Sequence, residues 1–311
     1  MRVTWRAISG HFRREEVLIK VKTSIFRFMS RKLPAWKSVD YLIAYFLFLY
    51  FHRRPPKKTR LFNDYIFFLK ISRDNLALRS FVADKEFLKI FVRSEVGQKF
   101  NVPTLALIKK SSEILTAKFF KDCCIKPTHL SGPVLFRRNG SEVDRGIIES
   151  WMKQSHYQSS REPAYQSLEP KIIVEPLIFN STDNIDYKIF CFSGKAKLIQ
   201  IDLGRWDNHV RLYYSRDWKL QPFSILKPQA KKQIQRPVNL NEMLWLAEEL
   251  AKHFNFIRID LYTDENQIFV GELTSYHGSG LEPFMPLESE KLASEIIFGS
   301  YEGDDKSYGD S

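Results

Sequence analysis

Two short runs near the end of the chain carry charged side chains at spacings that suit phosphate and metal chemistry. Arg258 and Asp260 are two residues apart in Phe256-Ile-Arg-Ile-Asp-Leu-Tyr, so on a strand they would point to the same face. Glu272, in Gly271-Glu-Leu-Thr, would meet them from a paired strand. Carboxylates that converge in this way suit magnesium, which prefers oxygen ligands and shares them with nucleotide phosphates. Arg258 would then hold a phosphate oxygen.

A surface hairpin joined by a salt bridge would show the same pattern, so the surrounding residues matter. Thr274 extends the same face, and His277-Gly-Ser-Gly280 follows as a flexible loop that could lie against phosphate or substrate. A separate place with phosphate chemistry is Lys126, which precedes Ser131 and Gly132. A lysine at a strand end before a loop of small residues suits phosphate binding.

Two acidic residues and a lysine follow in the middle of the chain. Glu175 comes at the end of an apolar run, where an acidic residue can bind an adenine amino group or ribose hydroxyls. Asp186 and Lys188 are again two residues apart, and the lysine offers another phosphate contact.

These side chains need strands and helices to position them. The alternation of apolar and polar residues predicts a short strand from Val102 and another over 171–178. It also predicts two hairpins, 185–192 with 196–203 and 256–263 with 267–275. Helical periodicity is typical of 62–100 and of 241–253, the second as an amphipathic helix packed on a sheet.

The formal charge of +12 is confined to one end of the chain. Residues 1–60 hold 15 Lys and Arg against three acidic residues, which leaves 33 basic and 33 acidic residues in 61–311. This distribution makes an anionic membrane surface a candidate partner for residues 1–60, and we expect no nucleic-acid partner. The uncharged run from Tyr41 to Phe51 is too short to span a bilayer; a helix buried in protein and one lying in a lipid interface remain alternatives.

The chain begins without the pattern of a cleavable signal peptide, so we expect a cytoplasmic protein, with peripheral attachment to the inner face of the plasma membrane as an extension of this expectation. Cys123, Cys124 and Cys191 form neither an even disulfide framework nor a metal-ligand spacing. We expect them to be reduced thiols packed as small hydrophobic residues.

The order of these groups resembles that of TupA-like ATP-grasp proteins, over about residues 60 to 287. The resemblance rests on motifs spread along the chain. They are Asp84-Lys85 with Lys89, Val102-Pro-Thr, Ile125-Lys-Pro with Ser131-Gly132, Trp151 through Tyr157, Arg161-Glu162, Val174-Glu175, Asp186-Tyr-Lys-Ile-Phe-Cys-Phe192 with Gly194-Lys195, Phe256-Ile-Arg-Ile-Asp-Leu-Tyr262, and Gly271-Glu-Leu-Thr274 with Gly278-Ser-Gly280.

The resemblance implies an α+β ATP-grasp fold, in which two lobes with antiparallel sheets clamp ATP and magnesium. It implies lobes at 61–175 and 176–300. Composition and pattern add a basic, aromatic helical segment at 1–60 and a flexible tail at 301–311. The metal site would belong to the second lobe.

The resemblance also assigns roles to individual residues. Metal binding falls to Asp260 and Glu272, and stabilisation of the transferred phosphoryl group to Arg258. Lys188 is predicted to be catalytic together with Arg258. The remaining ATP-site residues divide into phosphate contacts at Lys89 and Lys126, a phosphate loop at Ser131 and Gly132, adenine contacts at Glu175, Pro176 and Leu177, and Asp186 at the ribose or in an ordering bond.

The reaction implied is ATP-dependent joining of a carboxylate to an amine through an acyl phosphate. In this family the substrates would be an amino acid and a uronic acid or peptide in the biosynthesis of cell-surface polysaccharide, such as capsule or teichuronopeptide. Arginines after the central hairpin would suit a carboxylate or a sugar phosphate of the acceptor, and a solvated loop is the alternative. The candidates are Arg205, His209 and Arg211.

Two positions depart from the family pattern, and two other functions remain open. Pro133 follows Gly132 where a second glycine is usual, and His277 stands where proline is common. A glycan kinase is one alternative, with Asp202 or Asp207 as its base. A noncatalytic ATP-binding subunit of a polysaccharide assembly complex is another.

Overall fold

The computed structural model describes residues 32–179, 185–204 and 209–299. The helices are α1 (Lys37–His52), α2 (Phe62–Ser72), α3 (Leu76–Ala83), α4 (Lys85–Glu95), α5 (Ser111–Thr116), α6 (Arg145–Met152), α7 (His156–Ser160), α8 (Leu240–Ala251) and α9 (Ser289–Phe298). The strands are β1 (Ala106–Ile108), β2 (Cys123–Pro127), β3 (Leu135–Arg137), β4 (Ile172–Glu175), β5 (Asp186–Phe192), β6 (Lys195–Leu203), β7 (Val210–Ser215), β8 (Ser224–Ile225), β9 (Phe256–Thr263), β10 (Ile268–Thr274) and β11 (Phe284–Met285). Short 3-10 turns cover Gln98–Phe100, Pro163–Tyr165 and His277–Gly280.

Five strands form an antiparallel sheet, here called the large sheet, in the order β10-β9-β5-β6-β7. Both predicted hairpins are confirmed within it. At the β5–β6 turn, Ser193 and Gly194 have positive φ angles of 49° and 71°, which suit a two-residue turn between twisted strands. Both central positions of such a turn favour residues that tolerate this backbone region.

Helices cover both faces of the large sheet. On one face, α3, α4 and α8 pack with Tyr187 and Ile189, and α8 confirms the predicted amphipathic helix. On the opposite face, α2 and α9 pack with Phe190 and Phe256. Alternate residues of each strand therefore belong to different cores, as the two-residue period of a strand requires.

The second antiparallel sheet, here called the small sheet, has the order β1-β4-β2-β3. Its core is separate and includes Ile125, Ile148 and Val174. The strand expected from Val102 begins only at Ala106, because Pro103 lacks the N–H that a ladder needs. All three cysteines are free and buried.

The helices predicted over 62–100 are confirmed as α2, α3, α4 and a 3-10 turn. They pack on the large sheet rather than on the small one. The lobe boundary at 175 remains a prediction. Because α2, α3 and α4 pack on the large sheet, we propose that the first lobe begins near β1 and that these helices belong to the second lobe.

Helix α1 confirms a helix over the aromatic run, and one of its sides is buried. Ala44 and Phe48 pack against Phe67 of α2. The ring Nε2 of His52 lies 2.8 Å from the carbonyl oxygen of Gly280. Among the described residues, no helix is both long and apolar enough to cross a membrane.

Asp64, whose side chain is fully buried, accepts hydrogen bonds from the connection between α1 and α2. Arg54 Nη1 donates to Asp64 Oδ1 at 2.8 Å, and the backbone N–H of Lys57 donates to the same oxygen at 2.6 Å. Arg54 also contacts the second oxygen through Nη2. We predict that Arg54→Met lowers the free energy of unfolding by about 2–3 kcal/mol, because it leaves a buried carboxylate short of donors.

Urea denaturation would measure this loss, with Arg53→Met as the matched control because Arg53 is exposed. We expect the control to stay within about 0.5 kcal/mol of the unmodified protein. Equal losses in the two variants would contradict the role given to the Arg54–Asp64 pair.

Candidate active site

One half of a face of the large sheet is charged. It continues the face that carries Phe190 and Phe256, so the same side of β5, β6, β7 and β9 changes from apolar to polar along the strands. The polar side chains are at most 9% exposed, and at this depth ionised groups must neutralise one another. They are Asp186, Lys188, Gln200, Asp202, Arg211, Arg258 and Asp260.

Arg258 and Asp260 form a two-pronged ion pair. Nε and Nη2 of the guanidinium donate to the two carboxylate oxygens, each at 2.7 Å. Nη2 also donates to Thr274 Oγ1 at 2.9 Å, and Nη1 lies 2.6 Å from His277 Nδ1. The predicted placement of Arg258, Asp260 and Thr274 on one face is thus observed, and the arginine is held in a single orientation.

Lys188 lies at the centre of the charged area, among three aspartates. Its Nζ contacts Asp186 Oδ2 directly and lies 3.4 Å from Asp202 Oδ2 and 3.3 Å from Asp260 Oδ2. Burial opposes the charge of Lys188, but the three carboxylates outweigh it and raise its pKa. The lysine therefore stays protonated and joins strands β5, β6 and β9.

The contacts continue from Asp202 back to Arg258 and close a ring. Arg211 Nε donates to Asp202 Oδ1 at 2.9 Å, and its Nη1 donates to Glu282 Oε2 at the same distance. Glu282 lies 3.4 Å from His277 Nε2, and His277 faces Arg258. Glu282 and His277 come from the segment after β10, so the alternation of the strands gave no signal for their roles.

Burial alone would raise the pKa of Asp260, but Arg258 and Lys188 hold it below its usual range. Burial raises the pKa of Asp186, and the neighbouring Asp260 and Asp202 add to this. Arg258 and Lys188 therefore keep Asp260 anionic despite its burial. An anionic oxygen donor is what a hard cation requires.

Glu272 faces Asp260 in the pairing of β10 with β9, as the sequence predicts. It is half-buried, and among the described residues its side chain makes no hydrogen bond or ion pair. Its charge nevertheless acts on Lys85, Lys126 and Arg258. Glu272 therefore lies near three cations and opposite Asp260, with no partner of its own in the described part of the chain.

A bulge at Gly271 turns Glu272 toward Asp260. The register of β10 shifts between Val270 and Glu272, which inserts one extra residue. A Cβ on Gly271 would lie 2.5 Å from Cε2 of Tyr262, so no side chain fits beneath this ring. Gly271 is thus required by packing.

On the opposite side, Glu175 joins the two predicted phosphate lysines. Its Oε1 lies 2.6 Å from Lys89 Nζ, and its Oε2 contacts Lys126 Nζ. Burial would raise the pKa of Glu175, but the charges of Lys126 and Lys89 lower it. Lys89 also donates to the carbonyl of Val102 at 2.7 Å and to Thr104 Oγ1 at 2.8 Å.

Lys85 is a further lysine at this site that received no role from the sequence. Its Nζ donates to the carbonyl of Leu130 at 2.7 Å, in the predicted phosphate loop. Burial lowers the pKa of Lys85, while the charge of Glu272 opposes that change. Lys85 stands in the first turn of α4, and the family motif Asp84-Lys85 is its only signal in the sequence.

A cleft of about 440 Å³ lies between the two sheets and α4. Ser131 is exposed and does not line it, whereas Lys188, Arg258 and Asp260 lie in the charged layer at its edge. Cys124 also lines the cleft, and burial raises the pKa of its thiol to about 11, so it stays a thiol. Predicted site residues in the lining are Lys89, Lys126, Gly132, Glu175, Pro176, Leu177, Asp186 and Glu272.

The predicted acceptor residues fall in different places. Arg205 lies outside the described residues. His209 is within 3.3 Å of Asp202 through Nε2, and Arg211 is buried in the ring of ion pairs. Acceptor binding by these residues remains a prediction, and Arg211 has a structural role that such a function would have to share.

Two facing carboxylates fit a magnesium ion that is shared with phosphate. Within the described ranges, no group of three or more His, Cys, Asp or Glu side chains converges as a complete metal cage. Magnesium bound with a nucleotide needs only one or two protein carboxylates, because phosphates and water fill its remaining positions. Glu272 has its oxygens available, and Asp260 keeps lone pairs beside its bonds to Arg258.

Comparison with known proteins places this geometry in a family. The sequence model described as TupA-like ATPgrasp matches residues 66–298, three quarters of the chain. No curated protein sequence matches the chain.

Several solved structures are similar. A D-alanine–D-alanine ligase from Helicobacter pylori has 15% identity and a TM-score of 0.42, covering 70% of this chain and 61% of that one. The corresponding ligase from Bacillus anthracis has 15% identity and a TM-score of 0.37, with 63% and 57% covered. The ATP-grasp ligase PsnB, with a phosphomimetic variant of its minimal precursor, Mg and ADP, has 14% identity and a TM-score of 0.36, with 70% and 60% covered. The chain thus spans about three fifths of the length of each.

His277 makes a pH-dependent contribution to stability. Burial lowers its pKa despite the nearby Glu282, so the folded protein keeps it neutral, whereas the unfolded chain protonates it below about pH 6.5. Stability is therefore lost as the pH falls through 6.5, at up to about 1.4 kcal/mol per pH unit for this group. We predict that His277→Asn, which keeps an acceptor for Arg258, loses less stability between pH 7 and pH 5.

Urea denaturation at a series of pH values measures this slope. His253→Asn is the control, because His253 is exposed and its Nε2 contacts only Glu95, at 3.0 Å, among the described residues; this variant should flatten the slope less. An unchanged slope in His277→Asn would show that the folded protein does not hold this histidine neutral.

Proposed function

Since the chain belongs to the TupA-like ATP-grasp family, we propose that it is an ATP-dependent carboxylate–amine ligase that uses magnesium. The cleft between its sheets is the proposed site of ATP, with an acyl phosphate as the intermediate. Family membership also confirms the predicted α+β ATP-grasp fold, which agrees with two antiparallel sheets flanked by helices.

The observation that carries this proposal is the arrangement of charges across the cleft. Lys85, Lys89 and Lys126 line one side, and Glu272 lies on the other beside Asp260. Three ammonium groups suit a triphosphate, and the facing carboxylates suit the cation that bridges its oxygens. A surface hairpin with a salt bridge would not bury Asp260 to 4% exposure.

Glu175 has a double role in this proposal. Without nucleotide it pairs with Lys89 and Lys126, which keeps both lysines in the cleft. Phosphate oxygens would then compete for these ammonium groups. Adenine contacts are proposed for Glu175 and the backbone of Pro176 and Leu177, which follow it in the lining, and the ribose or an ordering bond for Asp186.

Asp260 and Glu272 would hold the magnesium ion, which supplies charge neutralisation to the phosphates when bound. The protein's own contribution is a cation fixed in advance. Arg258 is oriented by Asp260, Thr274 and His277, so it needs no reorganisation to meet developing charge on the phosphoryl group or on the tetrahedral intermediate. Lys188 holds Asp260 in place from the other side.

The substrates in this proposal are an amino acid and a uronic acid or peptide of a cell-surface polysaccharide, with capsule or teichuronopeptide as candidates. Amide formation proceeds in two steps. The ATP γ-phosphoryl group is transferred to the carboxylate, which gives an acyl phosphate and ADP, and the amine then attacks the acyl phosphate with release of phosphate. Exclusion of water from the acyl phosphate is the main demand on the site. Sugar-linked substrates, a cytoplasmic location and attachment to the inner membrane face belong to the same proposal.

The kinase alternative gains no support from Asp202. Burial opposes the ionisation of Asp202, but His209, Lys188 and Arg211 hold its pKa well below the usual range. A carboxylate with so low a pKa is a weak base and would accept the proton of a sugar hydroxyl poorly. Asp207 lies outside the described residues. Pro133 lines the cleft and is the single feature that suggests a noncatalytic protein.

Removal of the free carboxylate should abolish metal-dependent turnover. We predict that Glu272→Gln lowers ADP release by more than about 100-fold, because the metal loses a ligand while the ring of ion pairs stays intact. The assay is a screen of amino acids against uronic acids and nucleotide sugars, with Asp260→Asn as the blank. Glu265→Gln, in the exposed turn of the same hairpin, is the matched control. Equal turnover in Glu272→Gln and the control would exclude Glu272 as a ligand.

Nucleotide affinity should depend on Lys126. We predict that Lys126→Met weakens binding of a non-hydrolysable ATP analogue by about tenfold or more, equivalent to ~1.4 kcal/mol, since one phosphate contact is lost. Isothermal titration calorimetry gives the dissociation constant directly. Lys121→Met, at an exposed lysine before β2, should bind as the unmodified protein does. Unchanged affinity in Lys126→Met would place the phosphates elsewhere.

A further inference from the structure

A second cavity lies under the N-terminal end of α1, away from the cleft between the sheets. Its volume is about 280 Å³. Its walls are formed by the start of α1, the last turn of α2 with the residue that follows it, and the segment after α7. The lining residues are Lys37, Ser38, Asp40, Tyr41, Lys70, Ile71, Arg73, Arg161 and Pro163.

Lys70 is the unusual residue of this cavity. It is only 3% exposed, and among the described residues its ammonium group has no hydrogen bond and no ion pair. Burial lowers the pKa of Lys70, and the charges of Glu162 and Asp40 only partly oppose this. An ammonium group at this depth without a protein partner is costly to keep charged, and an anion bound in the cavity would offset that cost.

The other charges of the cavity do not supply the missing partner. Asp40 is its one lining carboxylate, and it already accepts from Arg73 at 2.7 Å and from Arg161 at 3.3 Å. It also accepts from the Tyr157 hydroxyl at 2.8 Å. Glu162 is committed to Ser279 and lies 3.5 Å from His156. Four cations thus face one carboxylate whose oxygens are occupied.

We propose that this cavity binds a phosphate group, either of a soluble phosphate ester or of a lipid headgroup. A charge excess of three cations suits a dianionic phosphate better than a single carboxylate. Arg73 uses only Nη2 on Asp40, and its other donors remain available among the described residues. The first turn of α1, with Lys37 and Ser38, adds N-terminal helix dipoles that favour an anion.

A lipid source would suit the surface beside the cavity. Trp36, Leu42 and Phe46 of the α1 region are 67%, 50% and 59% exposed. Lys57 and Lys58 are exposed cations in the connection after α1, at the end of the helix away from the cavity, and the only acidic residue of 32–60 is the buried Asp40. An apolar stripe with flanking cations is typical of a helix that lies in an anionic lipid interface.

The proposal does not rest on ligase activity, and its first test measures pyrophosphate binding by isothermal titration calorimetry. A non-hydrolysable ATP analogue with magnesium is present throughout, to occupy the cleft between the sheets. We expect Lys70→Met to weaken pyrophosphate binding at least tenfold, and Lys37→Met, at an exposed lining residue, to weaken it several-fold. Lys58→Met, outside the cavity, should bind as the unmodified protein does.

Thermal unfolding separates this effect from misfolding. Methionine fills the space of the lysine stem without a buried charge, so Lys70→Met should melt at the same or a higher temperature when no phosphate is present. Pyrophosphate should raise the melting temperature of the unmodified protein and of Lys58→Met, but not that of Lys70→Met. A ligand-free Lys70→Met that melts well below the unmodified protein would give Lys70 a structural role and contradict the proposal.

A lipid arm identifies the source of the phosphate. Vesicles of phosphatidylcholine with phosphatidic acid are compared with phosphatidylcholine alone by co-sedimentation. If the phosphate belongs to a lipid, Lys70→Met and a Leu42→Ser, Phe46→Ser double variant should both lose vesicle binding, and the double variant should keep pyrophosphate binding. If the protein binds pyrophosphate but not the phosphatidic acid vesicles, the phosphate belongs to a soluble ester. Binding of neither probe, or equal binding by Lys70→Met, would overturn the proposal.

Discussion

Lys188 sits among three buried aspartates, and the candidate site depends on the way that this charge is balanced. The ammonium joins Asp186, Asp202 and Asp260 on three neighbouring strands, which none of the aspartates could do alone. Arg258 completes the balance at Asp260. Because charges at this depth are tolerated only in mutual contact, the ring fixes the direction of each side chain before any ligand arrives.

One face of the large sheet carries both an apolar half and a charged half, so the same strands support a packed core and the candidate site. The apolar half packs under α2 and α9, while the charged half reaches the cleft. The bulge at Gly271 then brings Glu272 opposite Asp260, and among the described residues Glu272 makes no hydrogen bond or ion pair. A carboxylate held by ion pairs therefore faces one that has no partner in the described part of the chain, and magnesium bound with a nucleotide needs only one or two such ligands.

Strand residues of the site could be predicted from the sequence because their spacing is local. Arg258, Asp260 and Lys188 follow the two-residue period, and Glu272 follows from the hairpin. His277 and Glu282 could not, since their contacts depend on how the chain returns after β10. Four further residues were misleading in the sequence because only tertiary packing gives them their surroundings. The sequence assigns no role to Lys85 or Lys70, which line the cleft and the second cavity. Arg211 is predicted at the acceptor but lies buried in the ring of ion pairs, and Ser131 is predicted in the phosphate loop but is exposed.

A crystal structure with a non-hydrolysable ATP analogue and manganese, located by its anomalous scattering, tests the account most directly. We predict the metal within about 2.3 Å of carboxylate oxygens of Asp260 and Glu272, with the phosphates against Lys89 and Lys126. The salt bridges from Glu175 to those lysines should lengthen as phosphate oxygens replace them. A metal that contacts neither carboxylate, or a nucleotide bound outside the cleft between the sheets, would contradict the account.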